Sequence, residues 1–287
     1  MLSASVPCHR ATIDPCPLHK KNEPRPLTAP NPDPNHIRLA KRVAEQLNCS
    51  RSTAEQFIEG GFVSVDGQLE EAPGARVRPD QVVTVAPDAS LLELTPVTLL
   101  LHKPVGFEAG LGLPQGAAAH GSRSQGAAQA ITLLSAASHL PEDASGIRVL
   151  QRHFKQQECF TPLPTEASGL VVYTQDKRIA RKLAEDIESL EQECIVEVAG
   201  EIAPNGLQRL CHGLSFNGRP LPPIKVSWQN ETKLRFALKG IRPGQIPAMC
   251  EAVGLRVLGI KRIRIGRVPL AKVPEGQWRY LQPWEKF

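Results

Sequence analysis

The sequence is short of aromatic residues, cysteine pairs and long apolar runs, and each shortage closes off a class of protein. Phe, Trp and Tyr together make up 5% of the chain, within the range of a soluble globular protein. No uninterrupted apolar run approaches the ~18 residues of a membrane span, so no membrane partner is expected. The seven cysteines are odd in number, lie far apart and include no C-x-x-C pair. That spacing argues against zinc and against a disulfide framework. It fits a reducing, cytoplasmic compartment. Cys8 and Cys16 stand near His9 and His19, but in a segment whose sequence reads as disordered, so no metal is expected. His9, Arg10, Asp14 and Lys20 also leave the N-terminus without the apolar core of a signal peptide.

What is present points to about two domains in 287 residues. The net charge of +5 is compatible with a polyanionic partner without establishing one. Residues 1–35 are proline-rich with little apolar periodicity and read as a flexible tail. From residue 36 to 86 the pattern changes. Leu39, Val43, Ala44 and Leu47 mark an apolar helical face, with Lys41, Arg42, Glu45 and Gln46 opposite. Ser50 is a candidate N-cap for a second helix, Arg51–Glu59, and Gly60-Gly61 ends it. Phe62–Val65 reads as a strand, Asp66-Gly67 as a hairpin turn, and Val77 and Val82–Val85 as further strand.

A linker over 86–94 leads into residues 95–287. There Val97–Leu101 reads as a buried strand running into His102-Lys103-Pro104-Val105-Gly106. Residues 108–145 are rich in Gly, Ala, Ser and Gln, as a flexible insertion would be. Ile147–Phe154 reads as a short helix. The stretch 160–176, FTPLPTEASGLVVYTQD, reads as loop, turn and buried strand. A helix over 177–188 and a strand over 194–198 follow. Lys261, Arg262 and Arg264 form a basic strand edge, facing RNA or pairing with carboxylates inside the domain.

Residues 37–85 resemble the ribosomal S-four RNA-binding domain in their helix–helix–hairpin order. The matching residues are Ile37 to Lys41, Ser50 to Glu55, Ile58, Gly61, Val63 to Gly67, and Arg76-Val77. The stretch 160–176 resembles the active-site loop of the RsuA-like rRNA pseudouridine synthases, which carry such a domain at the N-terminus. Their motif, Gly-Arg-Leu-Asp-x-x-Thr-x-Gly-Leu-Leu, is matched by Leu163, Gly169 and Leu170, with Thr174 and Asp176 beyond it. Lys103, Pro104, Gln245, Ile246, Met249 and Gly254 also match. The resemblance implies an α+β chain: a small α-L, S-four-like RNA-binding domain, then a mixed-sheet synthase domain. It implies RNA, ribosomal in kind, as partner, and a monomer without nucleotide cofactor.

The resemblance also implies where phosphate contacts and catalysis belong. Arg38, Lys41, Arg42, Arg51 and Arg76 fall at RNA-facing positions, with Lys103, Lys261 and Arg262 as further candidates. Each reads equally, taken singly, as a solvated charge or an internal ion pair. The family's catalytic aspartate falls on Pro164 and its motif arginine on Pro162. Its base-stacking tyrosine falls on Cys194, and two helix arginines on Pro247 and Ala248. Proline offers neither a nucleophile nor a proton acceptor. A catalytically degenerate RNA-binding protein is therefore expected. The alternatives are an active synthase with a displaced carboxylate, Glu166 or less favourably Asp143, and a protein-interaction relic of the fold.

Overall fold

The computed structural model describes residues 36–90, 95–110 and 128–287. The expected tail, part of the linker and residues 111–127 of the expected insertion lie outside the described residues.

The first unit begins with β1 (Ile37–Arg38), α1 (Leu39–Leu47) and α2 (Arg51–Glu59). Leu39, Ala40 and Val43 are buried, whereas Leu47 is 39% exposed, so the apolar face of α1 stops a turn short of the expected one. Asn48, left-handed at φ 49°, closes α1. The Ser50 hydroxyl then accepts from the Thr53 N–H at 3.1 Å and starts α2, as its position implied. Short strands follow: β2 (Val63–Val65), β3 (Gln68–Leu69), β4 (Arg76–Val77) and β5 (Val83–Val85). β3, β2 and β5 form a sheet, and β1 pairs with β4. Asp66 and Gly67 both have positive φ, 51° and 80°, as a tight hairpin turn requires.

The second unit is built on a mixed nine-stranded sheet. Its elements begin with β6 (Thr98–Lys103), β7 (Phe107–Glu108), β8 (Ala128–Gln129), β9 (Glu158–Cys159), β10 (Ala167–Thr174) and α3 (Lys177–Asp186). Then come β11 (Gln192–Ala199), α4 (Gly206–Cys211), β12 (Ser215–Phe216), β13 (Arg219–Pro220), β14 (Lys225–Asn230) and β15 (Lys233–Leu238). α5 (Gln245–Glu251), β16 (Arg256–Ile265), β17 (Val268–Pro269) and β18 (Trp278–Tyr280) complete it. The sheet order is β14-β15-β11-β16-β10-β6-β18, with β9 beside β10 and β17 beside β16. β10 and β16 run parallel at the centre.

Alternation along β6 and β10 sends successive side chains to opposite faces. Leu100, Leu170 and Val172 pack with Leu183 of α3. Leu99, Leu101, Val171 and Tyr173 pack with Trp278 and Tyr280. Cys194, Val196, Leu234 and Phe236 form a third core with Leu210 of α4 and Met249 of α5.

Two expectations are corrected. Residues 128–145 are folded, not a flexible part of an insertion. The Trp278 indole donates to Ser135 O at 2.8 Å, and the His139 ring lies 4.6 Å from the Trp278 ring. The Asp143 carboxylate accepts from Tyr280 N, Ser145 N, Gln282 Nε2 and His139. Burial opposes its ionisation, yet these donors hold its pKa below the usual value. Asp143 is thus a structural anchor and not a stand-in catalyst. The helix expected over Ile147–Phe154 reduces to a single 3-10 turn at Gln151–Phe154.

Candidate nucleic-acid interface

Four of the five cations expected on the first unit line one groove. It encloses about 530 Å³ and is bordered by Arg38, Lys41, Arg51 and Arg76, with His36, Asn48 and Cys49 between them. The β1–β4 ladder makes Arg38 and Arg76 direct cross-strand partners, and the Arg76 guanidinium donates to His36 O at 3.3 Å. Lys41 comes from α1, and Arg51 opens α2, where the exposed N–H groups of the first turn add partial positive charge. Lys41 meets Glu45 at 3.8 Å and Arg51 meets Glu55 at 3.3 Å. Such exposed pairs are worth ~0–1 kcal/mol, so both cations can turn to a phosphate at little cost. Arg42 is not among them. Its guanidinium donates to Pro79 O at 3.4 Å and borders a separate depression with Asp80 and Gln81. His36 precedes β1, and Asn48 and Cys49 lie in the connection between α1 and α2.

The second candidate region is the loop before β10. Leu163 is buried and exchanges backbone hydrogen bonds with Ala109. Gly106 N donates to Thr165 O at 2.9 Å, and Ala167 N donates to Pro164 O at 3.1 Å. Arg262 holds the loop from beneath and is 4% exposed. Its guanidinium donates to Thr161 O at 2.7 Å, Leu170 O at 2.8 Å, Pro162 O at 3.0 Å and Gln192 Oε1 at 3.1 Å. Burial pushes its pKa down to about 10. Lys103 is fully buried, and its ammonium donates to Phe107 O at 2.7 Å and Pro104 O at 3.0 Å. Burial first, then the Arg262 charge, bring its pKa down to about 8, while Glu166 acts the other way.

These contacts correct two expected RNA contacts. Arg262 and Lys103 have their donors committed to backbone inside the domain and are not surface cations. Lys261 is half-buried on β16, and its charge acts on His102. Arg264 pairs with Glu191 at 2.5 Å and Glu193 at 2.6 Å, the internal pairing left open by the sequence. Among the described residues no carboxylate forms an ion pair with Arg262 or Lys103. Pro164 and Glu166 are exposed. Cys194 is the cross-strand partner of Arg262, and burial raises its thiol to about 11. Pro247 and Ala248 sit in the first turn of α5, which packs on β16.

The S4 domain model matches residues 37–83. The first unit is an S4 domain. An uncharacterized RNA pseudouridine synthase of Aquifex aeolicus is 25% identical over 248 residues, spanning 85% of this chain and 92% of the relative. The dual-specificity RNA pseudouridine synthase RluF of Escherichia coli is 26% identical, over 85% of this chain and 75% of its own. Ribosomal large subunit pseudouridine synthase B of Salmonella typhi is 28% identical, over 85% and 79%. A crystal structure of a pseudouridylate synthase superposes with a TM-score of 0.50 at 18% identity, covering 86% of this chain and 96% of that one. The chain is thus similar over most of its length to RNA pseudouridine synthases, and the second unit has the pseudouridine synthase fold.

Within that fold the loop scaffold of this chain is built for close approach. Gly169 has φ +117°, and a Cβ there would lie 2.2 Å from Arg262 O. Only glycine fits where β10 crosses onto β16. The Val172 N–H donates to the Thr161 hydroxyl at 2.9 Å.

Proposed function

We propose that this protein binds structured, ribosomal-type RNA through the S4 groove and holds it against a synthase scaffold that no longer isomerises uridine. Pro164 carries this conclusion. It occupies the position that the resemblance assigns to the catalytic aspartate, it is exposed, and its carbonyl is engaged by Ala167 N. Pseudouridine formation breaks the bond from ribose to N1 of uracil and rejoins the sugar at C5. That needs a carboxylate beside the sugar as nucleophile or base. Arg262, a buried cation of the kind normally paired with an acid, has only neutral acceptors here. The named relatives act on RNA, which supports RNA as the partner.

A second reading is an active synthase using Glu166, favoured by the effect of its charge on Lys103 at the loop floor. Tritium release from uracil-labelled rRNA separates the two. No release above background is expected from the native chain. Release that disappears in Glu166→Gln overturns the inactive assignment. RNA binding is tested with Arg51→Glu: the fold is retained and affinity falls, more steeply at low salt.

A further inference from the structure

The segment between the aromatic core and the loop carries a contact from the second unit to the first. One terminal nitrogen of Arg148 donates to Gly60 O at 3.1 Å and to Gly61 O at 2.6 Å. These carbonyls lie at the C-terminal end of α2, where unpaired C=O groups leave partial negative charge. The Arg148 guanidinium also lies 5.9 Å from the centroid of the Phe62 ring. A Cβ on Gly61 would fall 2.7 Å from the Arg148 guanidinium and 2.8 Å from Leu150 Cδ2. The glycine is thus the space into which the second unit is seated. Two further contacts flank it: Gln151 N donates to the Glu71 carboxylate at 2.6 Å, and Lys155 meets Glu59 at 3.5 Å.

We infer that Arg148 is a positioning residue that fixes the S4 domain on the synthase scaffold, with α2 as the strut between RNA groove and loop. Arg51, at one end of α2, lines the groove, and Glu59, Gly60 and Gly61, at the other end, meet the scaffold. Nine residues of helix make the strut about 13 Å long. The chain that carries Arg148 continues through β9, which pairs with β10, directly into the loop at 160–169. The two RNA-facing regions therefore keep one separation and one orientation. A bound RNA must present two segments at that spacing, which turns two weak contacts into one stronger one. The RNA part of this inference rests on the function proposed above; the latch itself does not.

The experiment uses the full chain without RNA first. Backbone 15N relaxation should give one rotational correlation time for both units in the native protein and two in Arg148→Glu. Arg148→Lys, whose ammonium can donate to the carbonyls but lacks the planar guanidinium that lies over the Phe62 ring, should fall between them. Separate tumbling in the native chain, or shared tumbling in Arg148→Glu, overturns the latch. With deproteinised ribosomal RNA as the probe, the native chain should protect two segments, and Arg148→Glu should bind about tenfold or more weaker and lose one of them. Unchanged affinity and protection in a decoupled Arg148→Glu overturns the two-point reading. If the native chain tumbles as one body yet binds no RNA, the proposed function fails and the latch stands.

Discussion

The Arg262 guanidinium donates to the backbone carbonyl of Pro162 at 3.0 Å, from 100 residues further along the chain. With Thr161 O and Leu170 O on the same side chain, one cation ties the loop that precedes β10 to β10 itself. A charge this deeply buried is costly unless its donors are filled. Here they are filled by carbonyls of the loop itself, so the ordering of the loop and the burial of Arg262 depend on each other.

Arg262→Met should therefore destabilise the protein by about 2–4 kcal/mol, because it strands acceptors on Thr161 and Pro162 of the loop, on Leu170 of β10 and on Gln192. Urea unfolding measures this directly. Proteolysis within residues 160–166 should accelerate in step. A variant as stable as the native chain, with the loop still protected, removes Arg262 from this role.

Gly169→Ala tests the same crossing from the other strand. The added methyl would meet the backbone of Arg262 at 2.2 Å, at a φ of +117° that alanine rarely adopts. Backbone on both sides cannot give way as a side chain would. A loss above about 4 kcal/mol is expected, enough to leave little folded protein. Circular dichroism and a thermal melt suffice to read it, and a melt within a few degrees of the native one contradicts the crossing geometry.

The parts of this fold that depend on near neighbours were legible in the residues. Ser50 caps α2, and Asp66-Gly67 turns the hairpin, because each needs only groups a few residues away. The groove was legible as a set of cations but not as a surface: Arg42 belongs to it by helix position and is drawn aside by Pro79 O. The fate of Arg262 and Lys103 was not legible. Nothing in a strand sequence says that its cation will be pulled under a loop a hundred residues earlier. The order of residues 128–145 was hidden for a related reason. Their small, polar composition reads as solvent-exposed, yet they are held by Trp278, Tyr280 and Gln282 at the far end of the chain. The proposal of an inactive loop rests on the sequence alone: Pro164 stands where the resemblance places a carboxylate, a difference in chemistry that needs no tertiary context to be read.

The groove on the S4 domain makes a prediction in salt. Reversing Arg38, Arg51 and Arg76 together should weaken RNA binding at all sequences alike, since phosphate contacts carry no sequence information. Each lost phosphate contact should also lower the slope of log K against log salt by about 0.7–0.9. Filter binding across a salt series reads both. Reversing Arg42 alone should leave the slope nearly unchanged. Equal effects from Arg42 and from the groove cations would move the interface to another face.

His153 gives the fold an acid limit that the carboxylates do not. Its ring is 4% exposed, and its Nδ1 lies 2.7 Å from the Tyr280 hydroxyl. Burial raises the Tyr280 pKa, so the phenol keeps its proton and donates to a neutral imidazole. Burial first, then the Arg152 charge, push the His153 pKa from 6.5 down to about 4. The folded value is below the unfolded one, so between these limits the unfolded chain binds more protons than the folded chain. Stability therefore rises with pH through this window and is lost as pH falls from about 6.5 to about 4. The loss should be on the order of 2–3 kcal/mol. Asp143 adds a loss of its own at lower pH, because its folded pKa lies below the usual carboxylate value and its contribution fades only as pH falls through that range. Urea unfolding at neutral pH and at about pH 4.5 should show this loss, to which His102, its pKa also lowered by burial, adds in the same direction. His153→Gln keeps an acceptor for the phenol and has no proton to take up, so it should flatten the dependence across this window. An equally steep curve in that variant would mean that some other group sets the acid limit.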